Sequence, residues 1–143
     1  MEIREAHLND ANELTSLMVH LGYPTTVENM KIRFSKIKTH PDYKTLVASY
    51  EGRVVGMIGL MKVHYFERDG VYIRIAALVV DPNFRNKGIG NKLIEEAESW
   101  ARKIGASGIT LNSGNRAERK SAHTFYKNRG YEERSIGFVK NMD

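Results

Sequence analysis

A short basic, glycine-rich segment, residues 85–90 (Arg-Asn-Lys-Gly-Ile-Gly), has the residue types best suited to binding chemistry. Its two glycines let backbone N–H groups approach a ligand closely, and the helical pattern that follows adds unpaired N–H groups and the positive end of a helix dipole. The cations beside it are Arg85, Lys87 and Lys92. The segment predicts a phosphate site; the simpler alternative is a strand-to-helix turn that happens to use two glycines.

Two common phosphate-binding motifs do not fit this segment. A dinucleotide-binding loop needs a third glycine or alanine where this chain has Leu93, and no early acidic residue follows a first strand in the expected unit. A P-loop needs Gly-Lys followed by Ser or Thr, which the sequence lacks. Dinucleotide binding is therefore disfavoured.

The residue content excludes several kinds of catalysis. The chain has no cysteine, which rules out disulfides, thiolate metal sites and a cysteine-linked acyl intermediate. There is no Gly-x-Ser-x-Gly sequence for a serine hydrolase. The five histidines lack the two- to four-residue spacing of metal ligands, so we expect no metal; they are His7, His20, His40, His64 and His123.

Length and charge limit the cellular setting. The 143 residues fit one domain, 1–143, and 22 Lys and Arg against 17 Asp and Glu give a net charge of +5 that favours an anionic partner. Nucleic acid has no further support, because no basic run with interleaved aromatic residues and no helix-turn-helix pattern is present. The start lacks a signal-peptide core, and the longest apolar run, Ile75 to Val80, is far below the ~18 residues of a membrane span. We expect a cytoplasmic protein without nucleic-acid or membrane partners.

Two amphipathic helices are predicted before any long strand. The first runs from Asp10 to Leu21, with Asp10 and Glu13 as a capping box. The second is capped by Thr26 and ends at His40.

A hairpin and a buried strand follow. Thr45 to Tyr50 and Val54 to Val63 predict two strands joined by a short turn, and Gly56 and Gly59 indicate a bulge or a close backbone approach. The run Val71 to Val80 is too apolar at its end for a solvated face, so we expect it in the middle of the sheet.

The last 60 residues predict helices between short strands. A helix from Ile89 to Ile104 carries an apolar stripe in which Trp100 is interpreted as a core residue. Then come a strand at Ile109 to Leu111, a helix from Glu118 to Arg129 and a strand at Ser135 to Lys140. This order predicts one α/β (α+β) domain with a mixed sheet.

Three segments together resemble a known family. Val79-Val80-Asp81-Pro82, the 85–90 loop and the run from Phe125 to Tyr131 (Phe-Tyr-Lys-Asn-Arg-Gly-Tyr), in this element order, resemble the GNAT superfamily of acetyl-CoA-dependent N-acetyltransferases. The resemblance implies a mixed, mostly antiparallel central sheet with splayed central strands and about four flanking helices. It also implies acetyl-CoA as co-substrate and a small amine as acceptor, and it leaves a homodimer open.

The resemblance assigns cofactor contacts residue by residue. It implies that the pantetheine arm lies along the main chain of Leu78, Val79 and Val80, as an added strand would. It implies that loop N–H groups hold the pyrophosphate, with Gly88 and Gly90 foremost; the full set is Arg85, Asn86, Lys87, Gly88, Ile89, Gly90 and Asn91. Arg119 stands where the family often has asparagine, so it either faces the CoA phosphates or is a solvated helix arginine.

Tyr126 occupies the position of the family's frequent general acid. The departing CoA thiolate needs a proton donor, and a tyrosine of pKa near ~10 can supply it. The alternative is that Tyr126 only packs, with its hydroxyl bound to a neighbour.

The general base is not assigned by the resemblance, because Arg74 stands where some members have a strand glutamate. The candidates left are Glu51, His64, Glu67, Asp81 and His123. Arg74 also supports the alternative of a catalytically silent acyl-CoA-binding regulatory module. The family's acceptor-binding segments correspond to residues 21–42 and the loop from Tyr65 to Gly70, which do not identify the amine.

Overall fold

The computed structural model describes residues 1–112 and 120–142. The strands are β1 (Glu2–Glu5), β2 (Tyr43–Tyr50), β3 (Arg53–His64), β4 (Val71–Val80) and β5 (Ile109–Leu111). The α-helices in these ranges are α1 (Ala11–Leu21), α2 (Val27–Thr39), α3 (Ile89–Lys103) and α4 (Lys120–Lys127), and short 3₁₀ helices span Leu8–Asp10 and Pro82–Phe84.

The five strands form one sheet in chain order. Each pair from β1 to β4 is antiparallel. Ser107 donates its N–H to the Val71 carbonyl, and Ile73 donates to the Gly108 carbonyl. Both partners advance in the same chain direction, so β5 runs parallel to β4. The predicted mixed, mostly antiparallel sheet flanked by helices is confirmed, with β4 between two neighbours.

The apolar end of β4 is less buried than its composition suggests. Of its last six residues only Ile75 and Val79 are buried, while Leu78 and Val80 are half-buried and Ala76 is exposed. The bonds toward β5 lie at the start of β4, at residues 71–73. The half-buried apolar residues therefore lie at the opposite end of the strand.

Strand β1 was not predicted from the sequence. It pairs Glu2 to Glu5 with residues 46–49 of β2, so a short strand precedes the two helices. Four residues with one apolar side chain, Ile3, are too few to show a period of two.

The two predicted helix caps have different outcomes. Thr26 accepts a hydrogen bond from the Asn29 N–H at 3.1 Å, which confirms the cap of α2. The predicted Asp10–Glu13 capping box is wrong, because Asp10 makes no side-chain cap on α1. Its carboxylate instead accepts from the His7 N–H, and Glu13 accepts from the Val54 N–H of β3.

The helices cover both faces of the sheet. Helices α1 and α2 bury a cluster that contains Leu14, Phe34, Met57 and Val79. Gly56 precedes Met57 and therefore faces the other side, where Ile89 of α3 lies against it. The buried stripe of α3 is Ile89, Leu93, Ile94, Ala97 and Ala101.

Trp100 and the last predicted strand differ from expectation. Trp100 is half-buried rather than a core residue, and the Lys44 Nζ lies 5.7 Å from its ring centroid. Residues 135–140 form no strand, and Ile136, Phe138 and Val139 are exposed. Alternating apolar residues predict a strand only where a neighbouring strand pairs with them, and within the described ranges this segment has none.

The contacts divide the chain into two compact units, Met1–Thr110 and Leu111–Asp143. The boundary falls within β5. In the second unit, α4 is followed by Gly130 in the left-handed region, at φ +86°. The predicted start of this helix at Glu118 lies outside the described residues. Among the residues described, none of the helices has both the length and the apolar content to span a membrane.

Candidate active site

The entry to the basic loop is held by Asp81, which follows β4. Its N–H donates to the Val55 carbonyl at 2.8 Å, and its Oδ1 accepts from the Asn83 N–H at 2.9 Å. Arg53 lies 3.6 Å from the other carboxylate oxygen, and Asp81 is only 6% exposed. This candidate base is therefore engaged in fixing the turn that leads into the loop.

The loop itself has the backbone form of an anion-binding turn. Asn86 and Gly88 both adopt left-handed conformations, at φ +62° and +76°, with Lys87 between them at negative φ. Alternating backbone handedness of this kind turns successive N–H groups toward one side. Gly88 is the N-cap of α3, and as a glycine it offers no side chain to cap the first-turn N–H groups of the helix.

The tip of the β2–β3 hairpin supports this loop through aromatic contacts. The rings of Tyr50 and Phe84 meet edge to face at 5.6 Å. Lys87 lies 5.5 Å from the Tyr50 ring, and Arg53 lies 5.6 Å from the Phe84 ring. These ring contacts hold Lys87 and Arg53 beside the loop, and Arg53 also pairs with Asp81.

Gly56 allows α3 to begin close to the sheet. A Cβ at this position would lie 3.1 Å from the Ile89 Cγ2 and 3.3 Å from the Val79 carbonyl oxygen. Gly56 pairs with Val80 at the end of β4. The predicted close approach is thus confirmed, and it lies where β4 gives way to the loop and helix.

The predicted irregularity near Gly59 is a β-bulge whose extra residue belongs to β4. Gly59 pairs with Ala77 while Leu60 pairs with Ile75, which leaves Ala76 without an opposite residue. Bulges of this kind often lie beside active sites, where they redirect backbone and side chains. Because Ala76 resembles its apolar neighbours, no sequence signal distinguishes it.

A pocket of about 780 Å³ opens beside this bulge, within the range that holds small ligands. We call it the α1–β4 pocket. It lies between the end of α1, the following loop, α2 and β4. Its lining residues are Met18, Leu21, Gly22, Tyr23, Pro24, Arg33 and Ala76. Most fall in the 21–42 segment that the resemblance implicated; Met18 and Ala76 lie outside it.

The second predicted acceptor segment, the loop 65–70, does not line this pocket. The Tyr65 hydroxyl hydrogen-bonds with Ser107 and accepts from Arg68. The Ser107 hydrogen bond, reinforced by Arg68, lowers the pKa of Tyr65. The Arg68 guanidinium also lies 4.2 Å from the Tyr65 ring. These contacts hold the turn between β3 and β4.

The remaining predicted site residues lie as follows. Leu78, Val79 and Val80 pair with Ile58, Met57 and Gly56, and Arg85 to Asn91 form the loop and the start of α3. Tyr126 is half-buried on α4 in the second unit, with the rings of Phe125 and Tyr131 at 5.4 and 6.0 Å. Arg119 lies outside the described residues.

The candidate bases do not gather at the pocket. Glu51 is in the exposed hairpin turn, His64 ends β3, and Glu67 is in the exposed 65–70 loop. His123 is on α4. Within the described ranges none of them lines the α1–β4 pocket, and no three His, Asp or Glu side chains form a metal-ligand group.

Comparison with known proteins gives consistent matches. Residues 10–131 match the model of the acetyltransferase (GNAT) family. The chain is 30% identical to an aminoalkylphosphonate N-acetyltransferase of Salmonella typhimurium, over 99% of this chain and 91% of that protein. It is 35% identical to an uncharacterized N-acetyltransferase of Bacillus subtilis, over 86% of this chain and 99% of that protein. A crystal structure of a GNAT family acetyltransferase from Staphylococcus aureus is 33% identical, with a TM-score of 0.86 over 99% of this chain and 98% of that one.

Proposed function

Because the chain belongs to the acetyltransferase (GNAT) family, we propose that it transfers the acetyl group of acetyl-CoA directly to a primary amine of a small molecule or peptide. Both substrates bind together, and no covalent enzyme intermediate forms. The observation that carries the proposal is the sequence of features along one stretch of chain: the bulge at Ala76, the end of β4 and the left-handed turn at Asn86 and Gly88.

Acetyl-CoA binds along the second half of this stretch. The pantetheine arm lies beside Leu78, Val79 and Val80. Val79 is buried, and the half-buried apolar side chains of Leu78 and Val80 suit a partly apolar ligand. The pyrophosphate binds the N–H groups of Arg85 to Asn91 at the start of α3. Support comes from the left-handed residues, the adjacent cations and the helix N-terminus. Arg119 as a contact for the CoA phosphates is part of the same proposal.

The acceptor amine binds in the α1–β4 pocket. Its lining residue Ala76 is two residues before Leu78, roughly 7 Å along the strand. An amine in the pocket therefore lies near the thioester end of a pantetheine arm placed on Leu78. The Salmonella relative is named for an aminoalkylphosphonate, which is itself a small amine.

The reaction needs a neutral amine and a proton donor. The amine nitrogen attacks the thioester carbonyl carbon, the C–N bond forms and the C–S bond breaks. Tyr126 donates the proton that the CoA thiolate takes up. The attacking nitrogen loses its proton to water, because none of the described lining residues is a carboxylate or an imidazole.

The first test is acetyl-CoA-dependent release of free thiol across a panel of amines. It is run beside calorimetric titration with acetyl-CoA and with CoA lacking the 3′-phosphate. We expect turnover on at least one small amine and saturable acetyl-CoA binding. Tight binding without turnover on any amine would instead favour the acyl-CoA-binding regulatory module, and absence of binding would contradict the loop assignment.

The Tyr126→Phe variant tests the proton donor. We expect the turnover number to fall tenfold or more, in line with ~10² to 10⁴ for proton transfer, with little change in acetyl-CoA affinity. Tyr131→Phe is the matched control, since it removes a hydroxyl from the ring 6.0 Å from Tyr126. An unchanged turnover number in Tyr126→Phe would reduce Tyr126 to a packing residue.

A further inference from the structure

The α1–β4 pocket has an uneven distribution of charge. Arg33 supplies its only charged side chain among the described lining residues, and no acidic residue lines it. The remaining walls are mainly apolar, with Met18 buried and Leu21 half-buried. A ligand in this pocket therefore meets one cation and an apolar surface.

The charge of Arg33 is not neutralised within the protein. Its Nη2 donates to the Thr25 Oγ1 at 3.3 Å, and its Nη1 lies 3.8 Å from the Met30 Sδ. In the described part of the chain no carboxylate lies within ion-pair distance of it. Other arginines do have such partners: Arg4 pairs with Asp10 at 2.8 Å and Arg53 with Asp81 at 3.6 Å.

Thr25 and Met30 orient Arg33 without competing for its charge. A hydroxyl oxygen and a thioether are neutral acceptors, so the guanidinium keeps most of its donors for a ligand. Guanidinium groups bind carboxylates and phosphates through paired hydrogen bonds. The arginine is exposed at the pocket, where a soluble ligand can reach it.

A second cation, Arg74, lies on β4, the strand that supplies the lining residue Ala76. Arg74 is half-buried and two residues before Ala76, and in the described part of the chain no carboxylate lies within ion-pair distance of it. Arg74 pairs with Met61, which lies four residues after Met57 on β3, so Arg74 projects from the sheet face that α1 and α2 cover. Both cations disfavour an acceptor that carries a second positive charge, such as a polyamine.

We propose that the acceptor is a primary amine that also carries an anionic group, a carboxylate, phosphate or phosphonate, and that Arg33 binds this group in the α1–β4 pocket. The inference rests on the proposed function and specifies the substrate class of that site. The amine lies toward Ala76 and the anionic group toward Arg33. A short alkyl spacer packs against Met18 and Leu21, and Tyr23, 68% exposed, lies at the edge of the pocket.

The test compares acceptors of similar length that differ in charge. O-phosphoethanolamine and β-alanine carry an anion, ethanolamine and propylamine are neutral apart from the amine, and 1,3-diaminopropane carries a second cation. We expect kcat/KM to be highest for the two anionic amines and lowest for the diamine. The comparison of phosphate with carboxylate determines which anion is preferred.

The Arg33→Met variant tests the assigned residue. We expect it to raise the KM of the anionic amines roughly ten- to hundredfold, the usual loss for a hydrogen bond between charged groups, and to change the KM of propylamine far less. Lys31→Met is the matched control, because it removes the same charge from α2 at a residue that does not line the pocket. Calorimetry should give the same acetyl-CoA affinity for the wild type, Arg33→Met and Lys31→Met.

The outcomes separate this inference from the proposed function. Turnover that is equal for neutral and anionic amines, or insensitive to Arg33→Met, would overturn the inference and leave the acetyltransferase proposal intact. If no amine is acetylated, calorimetric titration of the CoA-bound protein with O-phosphoethanolamine gives a separate answer. Binding that Arg33→Met abolishes would support the anion site, and no binding would overturn it.

Discussion

The carboxylate of Asp10 links three parts of the N-terminal region. Both oxygens accept from Arg4 of β1, at 2.8 and 3.0 Å, and one also accepts from the His7 N–H at 2.7 Å. The hydrogen bonds from Arg4 lower the pKa of Asp10 below its usual value. The carboxylate therefore stabilises the folded protein in its ionised form.

The Asp10→Asn variant should lower the free energy of unfolding by about 2 kcal/mol at pH 7, the scale of a charge-assisted hydrogen bond. Because the folded pKa is lowered, this contribution is complete above the unfolded value near ~3.9 and is lost as the pH falls through the folded value. Urea unfolding from pH 7 to pH 3 should therefore show the two proteins converging at acid pH.

Glu2→Gln is the control for this pair. Glu2 lies 3.9 Å from the same arginine, but its side chain is 71% exposed, so the loss should stay below about 0.5 kcal/mol. A constant difference between Asp10→Asn and the wild type at every pH would contradict the role of the ionised carboxylate.

Two glycines of β3, Gly56 and Gly59, differ in the space that an added Cβ would have. A Cβ at Gly56 would crowd Ile89 at 3.1 Å and the Val79 carbonyl at 3.3 Å, whereas one at Gly59 meets its nearest atom, the Met57 Cε, at 3.7 Å. Neither has a positive φ, so the two differ in packing rather than in backbone conformation. Gly56 contacts the first residue of α3, and Gly59 lies at the bulge.

Gly56→Ala should lower the free energy of unfolding by about 1 to 3 kcal/mol, as overpacking a buried site does, and weaken acetyl-CoA binding by displacing the start of α3. Gly59→Ala should be neutral or slightly stabilising, because it restricts the unfolded chain without a clash. Urea unfolding and calorimetry with acetyl-CoA measure both effects. If Gly56→Ala and Gly59→Ala had the same stability and the same acetyl-CoA affinity, the contact between Gly56 and α3 would contribute to neither.

The elements that the sequence predicts are those with strong local signals. The cap at Thr26, the hairpin turn and the stripe of α3 each depend on residues close together in the chain. The loop from Arg85 to Gly90 was found in the same way, because glycines and cations are adjacent there. Asp10 and Glu13 have the right types for a capping box, yet partners distant in space, Arg4 and Val54, bind them instead.

The bulge, the pocket and the position of Arg33 depend on contacts between distant segments, which the sequence does not reveal. The bulge at Ala76 is defined only by its register against β3, and the pocket beside it joins α1, α2 and β4. Arg33 is one of many cations in the sequence, and only its place in that pocket distinguishes it. Residues 135–140 show the converse: a strand pattern forms no strand where the described chain offers no partner.

At the scale of the whole molecule, the two compact units raise the question of whether they fold independently. The family model spans residues 10–131 and so crosses their boundary. Leu111–Asp143 is shorter than the ~40 residues below which a chain rarely folds without disulfides, metals or oligomerisation. Strand β5 belongs to both units, since the boundary falls between Thr110 and Leu111. We therefore predict one cooperative unfolding transition for residues 1–143.

A substitution that destabilises the second unit should then also lower the melting midpoint of the first unit. Gly130 has φ +86° and nothing within 4 Å of an added Cβ, so Gly130→Ala costs conformational energy alone, about 1 kcal/mol. The fluorescence of Trp100, the sole tryptophan, reports on the first unit and should show a melting midpoint lower by about 3 °C.

Gly137→Ala is the control, with ordinary φ and its nearest contact at 3.9 Å, and should leave the midpoint unchanged. A Trp100 transition unmoved by Gly130→Ala, with faster hydrogen exchange confined to α4, would mean that the two units unfold separately.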